Sequence, residues 1–284
     1  MPPTALTVKL FQRHVSVDVA GVIGTYIVAA ALALYMSIIE PVHAAEHENK
    51  SRPTIVMVHG AFVESASWEG VTARLLDQGY QVVAVANPLR GLENDATYVR
   101  DIIKAVGGTT VLVGHSYGGA VISNAAYDNR QVKALVYVSA FAPDAGESVS
   151  DLLNQFSGYT LDTVLAAAVV QSGGGRDLYM SASQFRRRLA EDIPVARAEQ
   201  MAASQRPISE SALRDHAGPP AWKQKPSWFL FGSRDKHVPP AALQFMADRA
   251  RSQRTQSVHG ASHLVMVSRP ELVANMIVEA ALSK

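Results

Sequence analysis

Gly114-His115-Ser116-Tyr117-Gly118-Gly119 is the segment whose residue types and spacing most directly suggest chemistry. Its Gly-x-Ser-x-Gly pattern follows the apolar run Val111-Leu112-Val113 and opens a stretch rich in small residues. A serine hydroxyl is a poor nucleophile unless it projects from a tight strand-to-helix turn toward a base and toward the amide dipoles of the helix. Gly114 and Gly118 would relieve the crowding of such a strained turn. The bland alternative is a glycine-rich turn carrying a surface serine. Strand, motif and helix standing in register favour the nucleophile.

Ser116 needs a base, and His263 in Val258-His259-Gly260-Ala261-Ser262-His263 lies in the loop leaving the last expected strand. That is the carboxyl edge, where parallel sheets gather ligands and catalysts. His259 is the rival, but it should still be held at the strand end, as a satisfied imidazole. The four-residue spacing of the two histidines would suit a zinc pair on a helix, yet Gly260 interrupts that helix and no acid lies between them. The carboxylate that orients the imidazole is expected at Asp235, in Phe231-Gly232-Ser233-Arg234-Asp235-Lys236-His237, with Asp144 as the fallback. An ion pair between Asp235 and its neighbour Lys236 is the alternative role for that acid. Two amides should meet the developing oxyanion: the N–H of Tyr117, just after the nucleophile, and that of Ala61 in Val58-His59-Gly60-Ala61-Phe62, with Phe62 next in line. Phe62, Trp68 and Tyr117 are expected to line the substrate pocket, although aromatics near a sheet edge are as often plain core. His59 is expected to brace its loop and His115 to pack beside the elbow.

The elements that must position these residues are written as an alternation. Strands are expected at Thr54–Val58, Val82–Ala86, Thr110–Val113, Ala134–Val138, Ser227–Phe231 and Thr255–Val258, several apolar throughout, as strands buried on both faces should be. Helices are expected near Trp68–Asp77, Ala96–Val106, Gly118–Tyr127, Ala241–Ala250 and Pro270–Ser283. The pattern predicts an α/β fold with a parallel sheet covered by helices. From about residue 142 to 225 the alternation stops, and the helix-like segments there suggest an inserted helical cap. Gly173-Gly174-Gly175 lacks the context of a phosphate loop, and the Arg186-Arg187-Arg188 run is expected to be a solvated face.

Residues 1–44 have the order of a secretory signal. Lys9, Arg13 and His14 precede the uncharged stretch Val19–Ile39, and Val42-His43-Ala44 supplies small residues for cleavage after Ala44. The apolar stretch is long enough to compete as a retained membrane anchor. In both cases the catalytic part, residues 53–284 behind a polar linker at 45–52, lies outside the cytoplasm: periplasmic or secreted. With 26 basic against 25 acidic residues the net charge is +1, too small a field to gather nucleic acid. The absence of cysteine removes disulfides, thiol catalysis and cysteine-ligated zinc.

Together these motifs resemble the α/β-hydrolase superfamily over essentially all of the chain beyond the N-terminal segment. Within it the chain looks like bacterial relatives of the plant methylesterases and hydroxynitrile lyases. His59-Gly60-Ala61, the Ser116 elbow, Phe141-Ala142-Pro143, Asp235 and Ser262-His263 carry the likeness. The resemblance implies the α/β-hydrolase fold, with a mostly parallel sheet of about six strands, and the chain order Ser, Asp, His of its catalytic residues. The lyase branch carries a threonine where this chain has Gly60 and a lysine where it has Leu264, and these departures argue for the esterase branch. The expected activity is hydrolysis of a small carboxylic ester by a serine esterase with Ser116, His263 and Asp235, requiring no cofactor and no metal. Lactone opening, carbon–carbon cleavage and perhydrolysis would use the same residues, and a non-enzymatic ligand-binding protein of this fold would keep them without turnover.

Overall fold

The computed structural model describes residues 7–10, 13–16, 52–156 and 163–283. The chain divides into two units, Met1–Ser51 and Arg52–Lys284. In the first, β1 (Thr7–Leu10) pairs antiparallel with β2 (Arg13–Ser16). The apolar stretch Val19–Ile39, the expected cleavage point after Ala44 and most of the linker at 45–52 lie outside the described residues. Among the described residues no helix is long and apolar enough to cross a membrane.

The second unit begins with β3 (Thr54–Val58), α1 (Glu69–Asp77), β4 (Val82–Val85), α2 (Leu92–Val106), β5 (Thr110–His115), α3 (Tyr117–Ala125) and β6 (Val132–Val138). After the cap come β10 (Ser227–Gly232), α8 (Pro240–Arg249), β11 (Arg254–Val258), α9 (Val265–Ser268) and α10 (Pro270–Leu282). Six strands form one sheet in the order β11-β10-β6-β5-β3-β4, every neighbouring pair parallel. The residue types explain the order. β3, β5 and β10 are buried along their whole length and are dominated by apolar residues, whereas the outermost β11, Arg254-Thr255-Gln256-Ser257-Val258, buries only Val258.

The chain leaves β3 toward one edge and returns past it to β5, so right-handed crossovers put α1 on one face and α2, α3 and α8 on the other. α10 packs against α1, and α2 against α3. α2 stops at Gly107, whose φ of 69° lies in the left-handed region. The six expected strands and five expected helices all appear, with ends displaced by at most four residues.

The insert between β6 and β10 differs from the purely helical cap expected from the sequence. It carries α4 (Val149–Phe156), and then β7 (Val169–Val170) and β8 (Arg176–Leu178). α5 (Ala182–Leu189), α6 (Val195–Ala203), β9 (Ile208–Ser209) and α7 (Glu210–Arg214) follow. β7, β8 and β9 make a small antiparallel sheet. Strands of two or three residues are too short to show an alternating period, which is why sequence patterning missed them. Gly174 and Gly175, each with φ of 89°, belong to the turn between β7 and β8.

The cap is tied to the sheet at several points. Ser209 N–H donates to Leu89 O at 2.9 Å, and Arg90 Nη1 to Asp177 Oδ1 at 2.6 Å. Leu264 N–H, next to His263, donates to Leu189 O at 2.9 Å.

Candidate active site

β5 is central in the sheet, and its carboxyl end runs without a linker into α3. Ser116 is the single residue between them and adopts φ 51°, ψ −126°, a conformation that L-residues avoid and glycine tolerates. Surrounding structure must hold it there. Ser116 O accepts the N–H of Gly119 at 3.0 Å and that of Phe141 at 3.0 Å, and Ser116 N–H points to Val138 O at 3.4 Å. The glycines are dictated by contact. A Cβ on Gly114 would stand 2.6 Å from Gly118 O, one on Gly118 2.3 Å from Val58 O, and one on Gly119 2.3 Å from Phe141 O. α3 can therefore begin hard against β3 and the end of β6 only with these residues bare.

The loop after β3 closes on the same turn. A Cβ on Gly60 would lie 2.6 Å from Ser116 Cβ and 3.2 Å from Tyr117 N, so the backbone at residues 60 and 61 approaches the elbow at contact distance. Phe62 N–H donates to Arg206 O at 3.0 Å. The amides of Ala61 and Tyr117 have no acceptor among the described residues. Of the two amides weighed for this loop, that of Ala61 is the one left to meet an incoming oxygen. His59 braces the loop. Its Nδ1–H donates to Gly60 O at 2.8 Å, while Asn87 N–H donates to Nε2 at 3.1 Å. Burial pushes its pKa down to about 4, so both nitrogens keep these neutral-ring roles.

His263 and Asp235 arrive from the loops after β11 and β10 and meet through Nδ1 and Oδ2 at 2.7 Å, both side chains buried. The other carboxylate oxygen of Asp235 accepts the N–H groups of His237 at 2.9 Å and Val238 at 2.8 Å. Three hydrogen bonds leave the carboxylate no freedom to turn away. Gly232, at the end of β10, lets the two loops cross, because a Cβ there would lie 2.3 Å from Ala261 O. His259 is exposed, and Asp144 is engaged by Lys223, so neither rival takes these places.

Two further imidazoles enclose His263, and sequence reasoning gave them little or no role. The His115 ring lies 4.8 Å from that of His263 and the His237 ring 4.9 Å from it. Burial, with the nearby His263 ring adding to it, holds both well below the ordinary histidine pKa. His115 Nε2–H donates to His263 O at 3.3 Å, which ties the residue before the nucleophile to the backbone of the expected base. Trp68 is fully buried and meets His115 edge-on at 6.4 Å, behind the histidine, and Phe62 lies edge-on to His237 at 6.3 Å. The cap reaches the same loop, where Ser262 Oγ contacts the Asp192 carboxylate and, at 3.0 Å, Leu189 O. Among the described residues no group of three or more histidine and acidic side chains could hold a metal ion.

Residues 55–276 match the sequence profile of the alpha/beta hydrolase family. An alpha-hydroxynitrile lyase of Arabidopsis thaliana is 23% identical, over 76% of this chain and 92% of its own. A pimeloyl acyl-carrier protein methyl ester esterase of Xanthomonas campestris pv. campestris is 26% identical, over 79% of this chain and 93% of its own. An extracellular alpha/beta-hydrolase from a Paenibacillus species superposes with a TM-score of 0.67 at 22% identity, covering 81% of this chain and 100% of that one.

Proposed function

The chain belongs to the alpha/beta hydrolase family, and on that premise we propose that it is a serine esterase acting on small carboxylic esters through an acyl-enzyme. Ser116 Oγ attacks the acyl carbon as its proton passes to His263 Nε2. The Nδ1–H of the resulting imidazolium stays on Asp235, whose charge stabilises it. The amides of Ala61 and Tyr117 bind the oxygen that becomes negative, and collapse of the tetrahedral species expels the alcohol, which takes the proton from His263. Water then gives a proton to the same nitrogen, attacks the acyl group and releases the acid, restoring Ser116. Every step uses side chains and backbone of this chain, so the scheme requires no metal or organic cofactor.

The observation that carries this reading is the 2.7 Å contact of His263 Nδ1 with Asp235. It fixes the tautomer and leaves Nε2 as the basic nitrogen. The strained Ser116 backbone and the two amides without acceptors add support, as do the esterase names of relatives such as the Xanthomonas protein. The Arabidopsis lyase raises cyanohydrin cleavage as a second reading. At the two positions where the resemblance sets the lyases apart, this chain has Gly60 and the buried, apolar Leu264, which favours the esterase reading.

The site of action we propose is outside the cytoplasm, on a chain trimmed after Ala44, as N-terminal sequencing of the exported protein would read directly. The test of function is a panel of aryl and alkyl esters of graded acyl length, with Ser116→Ala as the blank. Turnover by the parent and its loss in Ser116→Ala are expected. Equal activity of the two would overturn the reading.

A further inference from the structure

The loop that carries Ala61 is pinned from two directions, and only one of them belongs to the sheet domain's own framework. Upstream, Asn87 holds His59 through the ring, at 3.1 Å, and through the His59 carbonyl, at 2.9 Å. Downstream, the cap holds it through one residue, Arg206, between α6 and β9. Its carbonyl accepts Phe62 N–H at 3.0 Å. Its guanidinium grips Glu64, with Nε 3.0 Å from each carboxylate oxygen and Nη2 2.9 Å from Oε2. Between these anchors Phe62 has φ of 64°, a left-handed conformation that a bulky residue keeps only when its surroundings impose it.

We propose that Arg206 is a positioning residue for the oxyanion hole, the means by which the docked cap sets the Ala61 amide. The inference rests on the esterase reading of this site. By occupying the Phe62 N–H and bracing Glu64 two residues on, Arg206 keeps the preceding Gly60–Ala61 peptide aimed past Ser116. Without it, the loop downstream keeps only the hold of Ser67 on the Glu64 carbonyl, through N–H at 2.9 Å and Oγ at 2.6 Å, two residues beyond Phe62. Phe62 can then relax out of the left-handed region and carry the amide with it. Arg206 touches neither substrate nor reacting atoms. Its effect should therefore fall on stabilisation of the transition state and leave ground-state binding alone.

The experiment compares Arg206→Gln, Glu64→Gln and the double variant for ester turnover, thermal stability and affinity for a trifluoromethyl ketone, which forms an oxyanion adduct with serine. Expected is a fall in kcat of about 10-fold or more with KM within about twofold, since small misplacements of catalytic groups are costly. Ketone affinity should fall in step with kcat/KM, and the double variant should be no worse than the singles, as for one shared interaction. Both substitutions keep the residue-206 carbonyl that accepts Phe62 N–H and remove only the guanidinium–carboxylate contact, so Glu64→Gln carries the test if Arg206→Gln fails to fold. An unchanged kcat, a rise in KM alone, or ketone affinity indifferent to both substitutions would overturn the proposal. Parent turnover with unaffected variants overturns this inference alone. A parent inert toward esters and toward a fluorophosphonate overturns the esterase reading and this inference with it.

Discussion

At the residue scale the site is a matter of which atom is left free. Asp235 spends one oxygen on His263 and the other on two backbone amides, and His263 spends Nδ1 on Asp235, so in the proposed mechanism the proton moves through Nε2. Under the proposed mechanism, Asp235→Asn should keep the packing and allow the ring to take the opposite tautomer, lowering kcat by about 10⁴-fold. Steady-state kinetics with an aryl ester checks this, and a loss below about tenfold would contradict it. The placement of Ser116, His263 and Asp235 at strand ends, and the meeting of the last two, was legible in the sequence because each stands in a fixed relation to its own strand. The closing of His115 and His237 on the His263 ring was not, and neither was the hold of Arg206 on Glu64. Those contacts join residues brought together only by the sheet order and the cap, and no local pattern encodes them.

At the scale of elements, the turn between β5 and α3 works because three glycines let a helix start against two strands. Gly119 is at least as restrictive as Gly118, with Phe141 O 2.3 Å and Ala140 Cβ 2.8 Å from a would-be Cβ. Gly119→Ala should destabilise the fold by about 1–3 kcal/mol, the usual range for overpacking, and depress turnover by moving α3 and the Tyr117 amide. Denaturant titration alongside kinetics reads both, and wild-type stability in that variant would contradict the account. The core strands were plain in the sequence because long apolar runs bounded by glycine and polar turns have few other fates. The cap was legible only as an interruption. Its β7, β8 and β9 are held by partners across the cap, with β9 reaching past α5 and α6 to pair with β8, and nothing in two or three residues announces that.

At the scale of the whole molecule, several buried imidazoles make stability depend on pH. His59 has a folded pKa of about 4 against an ordinary value of 6.5, and His115 and His237 are shifted the same way by burial. The unfolded chain therefore binds more protons than the folded one in this window. Stability is complete above about pH 6.5 and declines as pH falls toward 4, by roughly 3 kcal/mol from His59 alone. Unfolding titrations at about pH 7 and pH 4.5 should show this loss, and His59→Gln should flatten it; a pH-independent midpoint would contradict the assignment. The central claim, that one hydroxyl in the chain is made nucleophilic, is tested most directly by intact-protein mass spectrometry after exposure to a fluorophosphonate. The account predicts a single adduct, mapped by peptide analysis to Ser116 and missing from Ser116→Ala; an unmodified mass, or an adduct that persists in that variant, would contradict it.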